Sequence, residues 1–198
     1  MIGSLIRFKR NCPHCWHRIE MINGVLFRLR YRKKARIAET VLDATQAAGC
    51  RFSLLKKEDL PELEQFLSRQ DEDNLTWFQP HAFDQETLEW LFRNPAFLMM
   101  QVTAPDGSIV GYFFLRCFFV GRAFAGLLVD KPWQNRGIGT AIWAACADIC
   151  HQAGLTMQAT LSTENKPSIS SCRKGTDFRE IQELDDHYLA VECKQKES

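Results

Sequence analysis

The 198-residue sequence predicts an α+β fold, a mixed and mostly antiparallel central sheet with helices on its faces. Two observations carry this. Three strand-like runs, Phe97–Thr103, Ile109–Phe119 and Ala123–Val129, follow one another through short turns, as in an antiparallel meander. The later strands are joined through helices instead, beginning with the apolar-striped run Gly137–Ala153 ahead of Leu155–Leu161. Fourteen Phe, five Trp and 45% apolar residues supply a core for such a sheet and exclude a chain disordered throughout.

In chain order, residues 1–31 mix Cys, His, Trp and Arg without clear periodicity, and are expected to be an inert, mobile segment. Lys33–Ala48 has a helical face of Ile37, Val41, Leu42 and Thr45, stopped by Gly49. Arg51–Leu55 reads as a strand, and Leu60–Arg69 and Asp84–Arg93 as helices around a loop holding Asp71-Glu72-Asp73 and Trp77-Phe78-Gln79-Pro80. Pro105-Asp106-Gly107 turns the meander. In Gly137–Ala153 the stripe is Ile138, Ile142, Ala145 and Ile149, with Gly154 as terminator and Cys146 and Cys150 as core. Pro167–Lys174 is a short helix with Pro at a favourable first position. Phe178–Leu184 and Tyr188–Cys193 close the sheet around Asp185-Asp186. The expected division is a basic extension, 1–49, and a globular domain, 50–198.

Eight Cys, about 4% of the chain, are too sparse for a disulfide scaffold. The opening residues lack a secretory apolar region, so reduced thiols and a cytoplasmic location are expected. Gly111–Val129 has the length of a membrane span, but Arg116 and Arg122 interrupt it, each costing roughly 2.5–3.5 kcal/mol at a bilayer centre. Two strands meeting near Gly121 explain it better. Net charge is +1 but unevenly spread: residues 1–36 carry +9 and residues 37–198 carry −8. Residues 58–89 hold ten acids against Arg69 alone.

The chemistry is most legible in Leu127-Leu128-Val129-Asp130-Lys131-Pro132-Trp133-Gln134-Asn135-Arg136-Gly137-Ile138-Gly139-Thr140-Ala141. An apolar strand stops at Asp130 and a glycine-containing turn feeds a helix. Backbone N–H groups and the helix N-terminus then converge on one spot suited to a phosphate or pyrophosphate. Gly137 and Gly139 leave room for a close ligand, and Arg136 and Lys131 add positive charge. The spacing is neither a dinucleotide fingerprint, for lack of a third Gly at 142, nor a Walker loop. A purely structural turn is the competing explanation.

This run resembles the acyl-CoA-binding segment of the GNAT superfamily of N-acetyltransferases, with Gln134, Gly137 and Gly139 filling its Gln/Arg-x-x-Gly-x-Gly/Ala motif. The resemblance spans about residues 50–193 in element order. Asn165 opening a short helix is similar to the family's second CoA-contacting segment. The resemblance implies acetyl-CoA as co-substrate. Backbone groups at Leu127, Leu128 and Val129 would pair with pantetheine. Amides of Gln134, Asn135, Arg136, Gly137, Ile138, Gly139 and Thr140 would hold the pyrophosphate. An acceptor amine attacks the thioester directly, helped by positioning, a polarising backbone N–H, a base and an acid. Many members place a Tyr general acid seven residues after that Asn. Here the position is Cys172, which is either the acid or a small residue packed under the pantetheine arm. Tyr112 and Tyr188 are further acid candidates. Asp73, His81, Asp130 and His187 are open choices for the base.

Cys12-Pro-His14-Cys15-Trp-His17 has too few ligands for a closed zinc site and no strand before it for redox chemistry, so no metal is expected. The run Arg28–Arg36 is read first as a solvated arm docking on an acidic surface. Nucleic-acid or anionic-membrane contact is the alternative. Trp77, Phe78, His81 and Phe83 are either acceptor-pocket walls or core aromatics. The expected reaction is acetyl transfer to a primary amine of a small molecule or sugar, cationic if the acids line its site. The alternatives are a protein N-terminal or lysine acetyltransferase and a non-catalytic acyl-CoA-binding regulator. No membrane span or nucleic-acid partner is expected, and a homodimer is left open.

Overall fold

A computed structural model describes residues 13–184 and 187–196, with side chains from residue 18 onward. Seven strands form one sheet in the order β1-β2-β3-β4-β5-β7-β6. They are β1 (Arg51–Leu54), β2 (Phe97–Thr103), β3 (Ile109–Phe118), β4 (Arg122–Val129), β5 (Thr156–Ser162), β6 (Asp177–Leu184) and β7 (Tyr188–Lys194). Among the described residues only β4 and β5 pair in parallel, as expected for the two strands joined by the long helix. The helices are α1 (Pro13–Arg30), α2 (Lys34–Ala44), α3 (Leu60–Ser68), α4 (Glu72–Leu75), α5 (Gln85–Arg93), α6 (Ile138–Ala153) and α7 (Lys166–Gly175).

Strand alternation divides the core. Leu98, Met100 and Val102 of β2, with Phe113 and Leu115 of β3, face α2 and α6. Phe97, Met99, Tyr112 and Phe114 face the opposite way, onto α3 and α5. Because both faces are covered, β2 and most of β3 are buried on both sides and read as continuous apolar runs. The Gly111–Val129 segment is the β3–β4 hairpin, turned at Gly121 (φ 91°). Among the described residues no helix is long and apolar enough to cross a membrane.

Two readings need correction. The loop between α3 and α5 contains α4, nucleated where Asp71 Oδ1 accepts the Asn74 N–H at 2.8 Å. Residues 13–30, read as an inert segment, form α1, an 18-residue helix docked on the sheet. Phe27 is fully buried in the core, and Asn23 bonds the β3 end through Cys117 C=O and Phe119 N–H. Glu20 pairs with Arg116. At Gly24 any Cβ would lie 2.8 Å from Asn94 Oδ1, so glycine lets the helix lie flat. The helix escapes the sequence reading because most of its apolar residues lie off the buried face, so no single stripe marks the docked side. Cys12 and the side chains of His14, Cys15 and His17 lie outside the described residues, as does the Asp185-Asp186 turn.

Candidate active site

β4 and β5 pair only through Arg122–Phe124 against Thr156–Gln158. Beyond that point β4 follows β3 to Val129 and β5 follows β7 to Ser162, so the two neighbours part and leave a wedge at their C-terminal ends. The Asp130 N–H bonds Val110 C=O at 2.8 Å. Leu128, two residues earlier, likewise turns its backbone groups to β3, opposite Tyr112. By alternation Leu127 and Val129 turn theirs into the wedge, where a ligand can satisfy them. Val129 C=O already accepts from Asn74 Nδ2 (3.2 Å) and Gln134 Nε2 (3.1 Å). Of the three strand residues expected at the donor, Leu127 and Val129 present backbone groups, while Leu128 buries its side chain beside Tyr112.

Past Asp130 a 3₁₀ turn, Lys131–Trp133, leads through Asn135 (φ 60°) and Gly137 (φ 83°) into α6. The first intrahelical bond is Ala141 N–H to Gly137 C=O. The N–H groups of Ile138, Gly139 and Thr140 are therefore left at the helix mouth, with no capping side chain and no acid in the first turn. Nothing lies within 4 Å of where a Gly137 Cβ would stand, so the left-handed backbone, not crowding, calls for glycine there. A Cβ on Gly139 would face α7 at 3.6 Å from Ser171 Oγ, and Ile138 anchors the turn in the core. The Arg136 guanidinium lies over the Trp133 ring at 4.8 Å. Lys131 does not join it as a free cation. It pairs with Asp71 (2.9 Å) and Asp73 (3.6 Å), which lifts its pKa and pulls that of Asp71 below the usual carboxylate range. An open strand edge next to uncapped N–H groups and an arginine fits a pantetheine arm and its pyrophosphate.

Gln134 and Asn165 act through their side chains within the protein. Gln134 Nε2 donates to Asn74 Oδ1 (2.8 Å) as well as to Val129 C=O. Asn165 Oδ1 caps α7 by accepting the Ser168 N–H at 3.1 Å. That helix lies tightly on the start of α6, because a Cβ on Gly175 would fall 2.5 Å from Thr140 C=O.

Of the three acid candidates, Cys172 and Tyr188 part company. Cys172 is fully buried, its Sγ 3.4 Å from Cys193 Sγ and 3.6 Å from Thr176 Oγ1, between α7 and β7. The hydrogen bond with the Cys172 thiol, together with burial, holds Cys193 well above the usual thiol range. The structure does not bring Cys172 to the wedge. Cys146 and Cys150 are buried on α6, as expected. Tyr188 opens β7 opposite Ser162, the last residue of β5, and is half-buried. Its ring meets Trp77 edge-on at 6.5 Å, so the 70–84 segment reaches across from the β4 side to the β5 side.

That segment is held by a polar network that local sequence does not signal. Arg69 Nη2 bonds Asp130 (3.1 Å) and Gln70 Nε2 reaches the same carboxylate at 3.3 Å. Asn74 Nδ2 donates to Gln70 Oε1 at 2.6 Å. These partners lie about 60 positions away from Asp130 along the chain, so no spacing rule finds them. Asp130 is thus held in an ion pair, and Asp73 is exposed beside Lys131. His187 adopts φ 63° in the turn before β7.

His81 is different. Its Nδ1 is 2.7 Å from Ala82 C=O, which can only accept, so Nδ1 carries the proton. Its Nε2 then accepts from the Tyr112 hydroxyl at 3.1 Å. Tyr112 is fully buried, and burial raises its pKa, keeping it a donor. Phe83, Phe97 and Phe114 surround the imidazole. At Gly126 a Cβ would lie 2.6 Å from the Phe114 ring, so glycine brings β4 directly against this aromatic patch. Of the other aromatics, Phe78 is core and Trp77 is exposed. Six of the ten acids in residues 58–89 have structural work: Asp59, Glu62, Asp71, Asp73, Asp84 and Glu89 cap turns or helices or pair with neighbours.

A parallel pair that splits, ending in a glycine turn and a helix mouth, defines an acyl-CoA-binding fold. The model of the Acetyltransferase (GNAT) family matches residues 60–178, more than half of the chain. The chain belongs to this family, acyl-CoA-dependent N-acetyltransferases that use acetyl-CoA as co-substrate. Similar solved structures include the GNAT domain of S. lividans PAT (TM-score 0.63, 13% identity, 72% of this chain and 89% of that one). The ribosomal-protein-S5-alanine acetyltransferase of Vibrio fischeri gives 0.60 at 14%, covering 76% and 94%. The spermidine N-acetyltransferase of Vibrio cholerae, solved with CoA and spermine, gives 0.58 at 14%, covering 74% and 94%. At such identities the likeness is one of fold. No curated protein matches the chain in sequence.

Proposed function

We propose that this chain acetylates the primary amine of a small molecule or sugar by direct attack in a ternary complex. The observation that carries this is the wedge itself. One wall is the backbone edge of β4 leading to the α6 mouth, and across from it Trp77 meets Tyr188, while His81 lies on the aromatic patch against Gly126 with Tyr112 buried behind it. Acetyl-CoA, when bound, supplies an activated acetyl thioester. Leu127 and Val129 would hold its pantetheine arm, and the N–H groups of Ile138, Gly139 and Thr140 with Arg136 its pyrophosphate. A wedge-facing N–H at Leu127 or Val129 would polarise the acetyl carbonyl. His81, oriented through Nδ1 by Ala82 C=O, takes the amine proton on Nε2 once the amine displaces the Tyr112 hydroxyl from that nitrogen. Tyr188 Oη gives a proton to the leaving sulfur. Cys172 is then assigned to packing.

The Trp77–Tyr188 contact favours a small acceptor over a peptide, because an extended chain would have to part these rings. The V. cholerae spermidine enzyme supports a small amine, and the V. fischeri protein acetylates a ribosomal protein and keeps the alternative in view. The deciding experiment follows CoA thiol release with polyamines, amino sugars, amino acids and Lys- or Ala-led peptides. Turnover of small amines, lowered at least tenfold in kcat by Tyr188→Phe, supports the reading. Turnover of peptides alone would replace it with protein acetylation. CoA binding with no turnover on any amine would replace it with a regulator.

A further inference from the structure

α1 is inverted relative to an ordinary surface helix. Its inner face, Glu20, Asn23, Gly24 and Phe27, with Tyr31 just past its end, carries the polar tethers to β3 described above and a ring stack of Phe27 on Tyr31. Its outer face is apolar: Ile19, Met21, Ile22, Val25, Leu26 and Leu29 are all exposed, Met21 by 65% and Ile22 by 60%. On a 3.6-residue period these six fill the side opposite Phe27. Arg28 and Arg30 flank them, one on each side, and Arg18 lies among them. The patch continues onto the β3–β4 hairpin. Arg30 Nη1 holds Phe119 C=O at 3.1 Å, and both Phe119 and Val120 are exposed there. A largely apolar recess of about 220 Å³ runs between α1 and β3.

We propose that this face is a docking surface for an anionic lipid bilayer, with α1 lying in the plane of the interface. The charge selects this occupant. α1 and the turn after it expose Arg18, Arg28, Arg30, Arg32 and Lys33 against Glu20 alone, and Glu20 is already paired with Arg116. A second copy would bring the same cationic helix against itself, whereas a negatively charged surface neutralises it. An apolar stripe bordered by arginines on a helix held flat is what an interfacial helix requires. Pinned by Asn23, Glu20 and Phe27, the helix meets a surface in its final orientation, without a folding cost at binding.

The test is flotation of the full chain with vesicles of phosphatidylcholine alone and of equal parts phosphatidylcholine and phosphatidylglycerol. The full chain should float with the anionic vesicles only, and less as salt is raised. The double variant Ile22→Asp/Leu29→Asp should weaken binding at least tenfold. Arg18→Gln/Arg28→Gln should weaken it about fivefold per arginine. Both pairs are exposed and distant from the wedge, so unchanged circular dichroism and unchanged CoA binding report an intact fold. Equal binding to both vesicle types, or none to either, overturns the proposal. A chain that ignores vesicles but sediments as a dimer split by Ile22→Asp/Leu29→Asp would assign the face to a second copy and overturn it too.

Discussion

The two walls of the wedge are built from different material. The donor wall is backbone: two residues of β4, the N–H groups at the start of α6, and a left-handed turn at Gly137. The acceptor wall proposed above is side chains from separate places, with His81 on a loop backed by Tyr112 of β3, Trp77 after α4 and Tyr188 on β7. A backbone site recognises what every acyl-CoA shares and tolerates few changes in torsion. A side-chain site can be exchanged residue by residue without disturbing the strands beneath it. The walls should therefore fail separately when mutated, one in donor affinity and the other in turnover.

His81→Gln should show the largest effect. The amide can still bond Tyr112 but cannot take a proton. A fall in kcat of roughly a hundred- to ten-thousand-fold is expected, with the CoA dissociation constant unchanged. A kcat within threefold of wild type would remove His81 from the reaction and leave water as the proton acceptor. Gly137→Val tests the other wall. A β-branched residue at φ 83° costs about 1–2 kcal/mol in strain and places bulk where the N–H groups must meet a phosphate. CoA binding measured by calorimetry should weaken about 100-fold. The fold should survive, since nothing lies near that Cβ direction. A variant that bound CoA normally but turned over slowly would break the division of labour between the walls.

The same difference explains what could be read from sequence. The donor wall depends on local torsions that few residues allow, so Gln134, Gly137 and Gly139 announce it within six positions. Even there the roles shift: Gln134 braces the strand end, Asn165 caps a helix, and Lys131 is tied to Asp71. The acceptor wall depends on tertiary approach. Nothing near Asn74 indicates that it meets Val129, 55 positions away. The sheet is legible because alternation and short turns are local properties. α1 is illegible because its apolar residues lie mostly on the outer face while the inner one mixes Phe27 with Glu20 and Asn23, so no single apolar stripe marks the buried side.

Asn74 joins the walls, so its loss should blur the comparison to a moderate degree. Its amide serves Val129 C=O, Gln70 and Gln134 together. In Asn74→Ala, Val129 C=O keeps only Gln134, and Gln134 loses one of its two acceptors. A stability loss of about 1–2 kcal/mol is expected by denaturant titration. Both the CoA dissociation constant and the acceptor KM should rise, each severalfold. A change in only one of them would show that the network braces a single wall.

Cys172→Ala should have the smallest catalytic effect, and it asks which wall supplies the proton to sulfur. The thiol has no exposed surface and spends its contacts on Cys193 and Thr176. Truncation removes one buried atom, and a stability loss of about 1 kcal/mol should follow, by the cost of a small cavity. Turnover should stay within about twofold of wild type, because α7 still rests on Thr140 C=O through Gly175. If kcat instead fell a hundredfold with the thermal midpoint nearly unchanged, the thiol would have to be reached by a movement of α7 away from β7. Its role would then pass from packing to proton donation, and the donor wall would contain a reacting side chain after all.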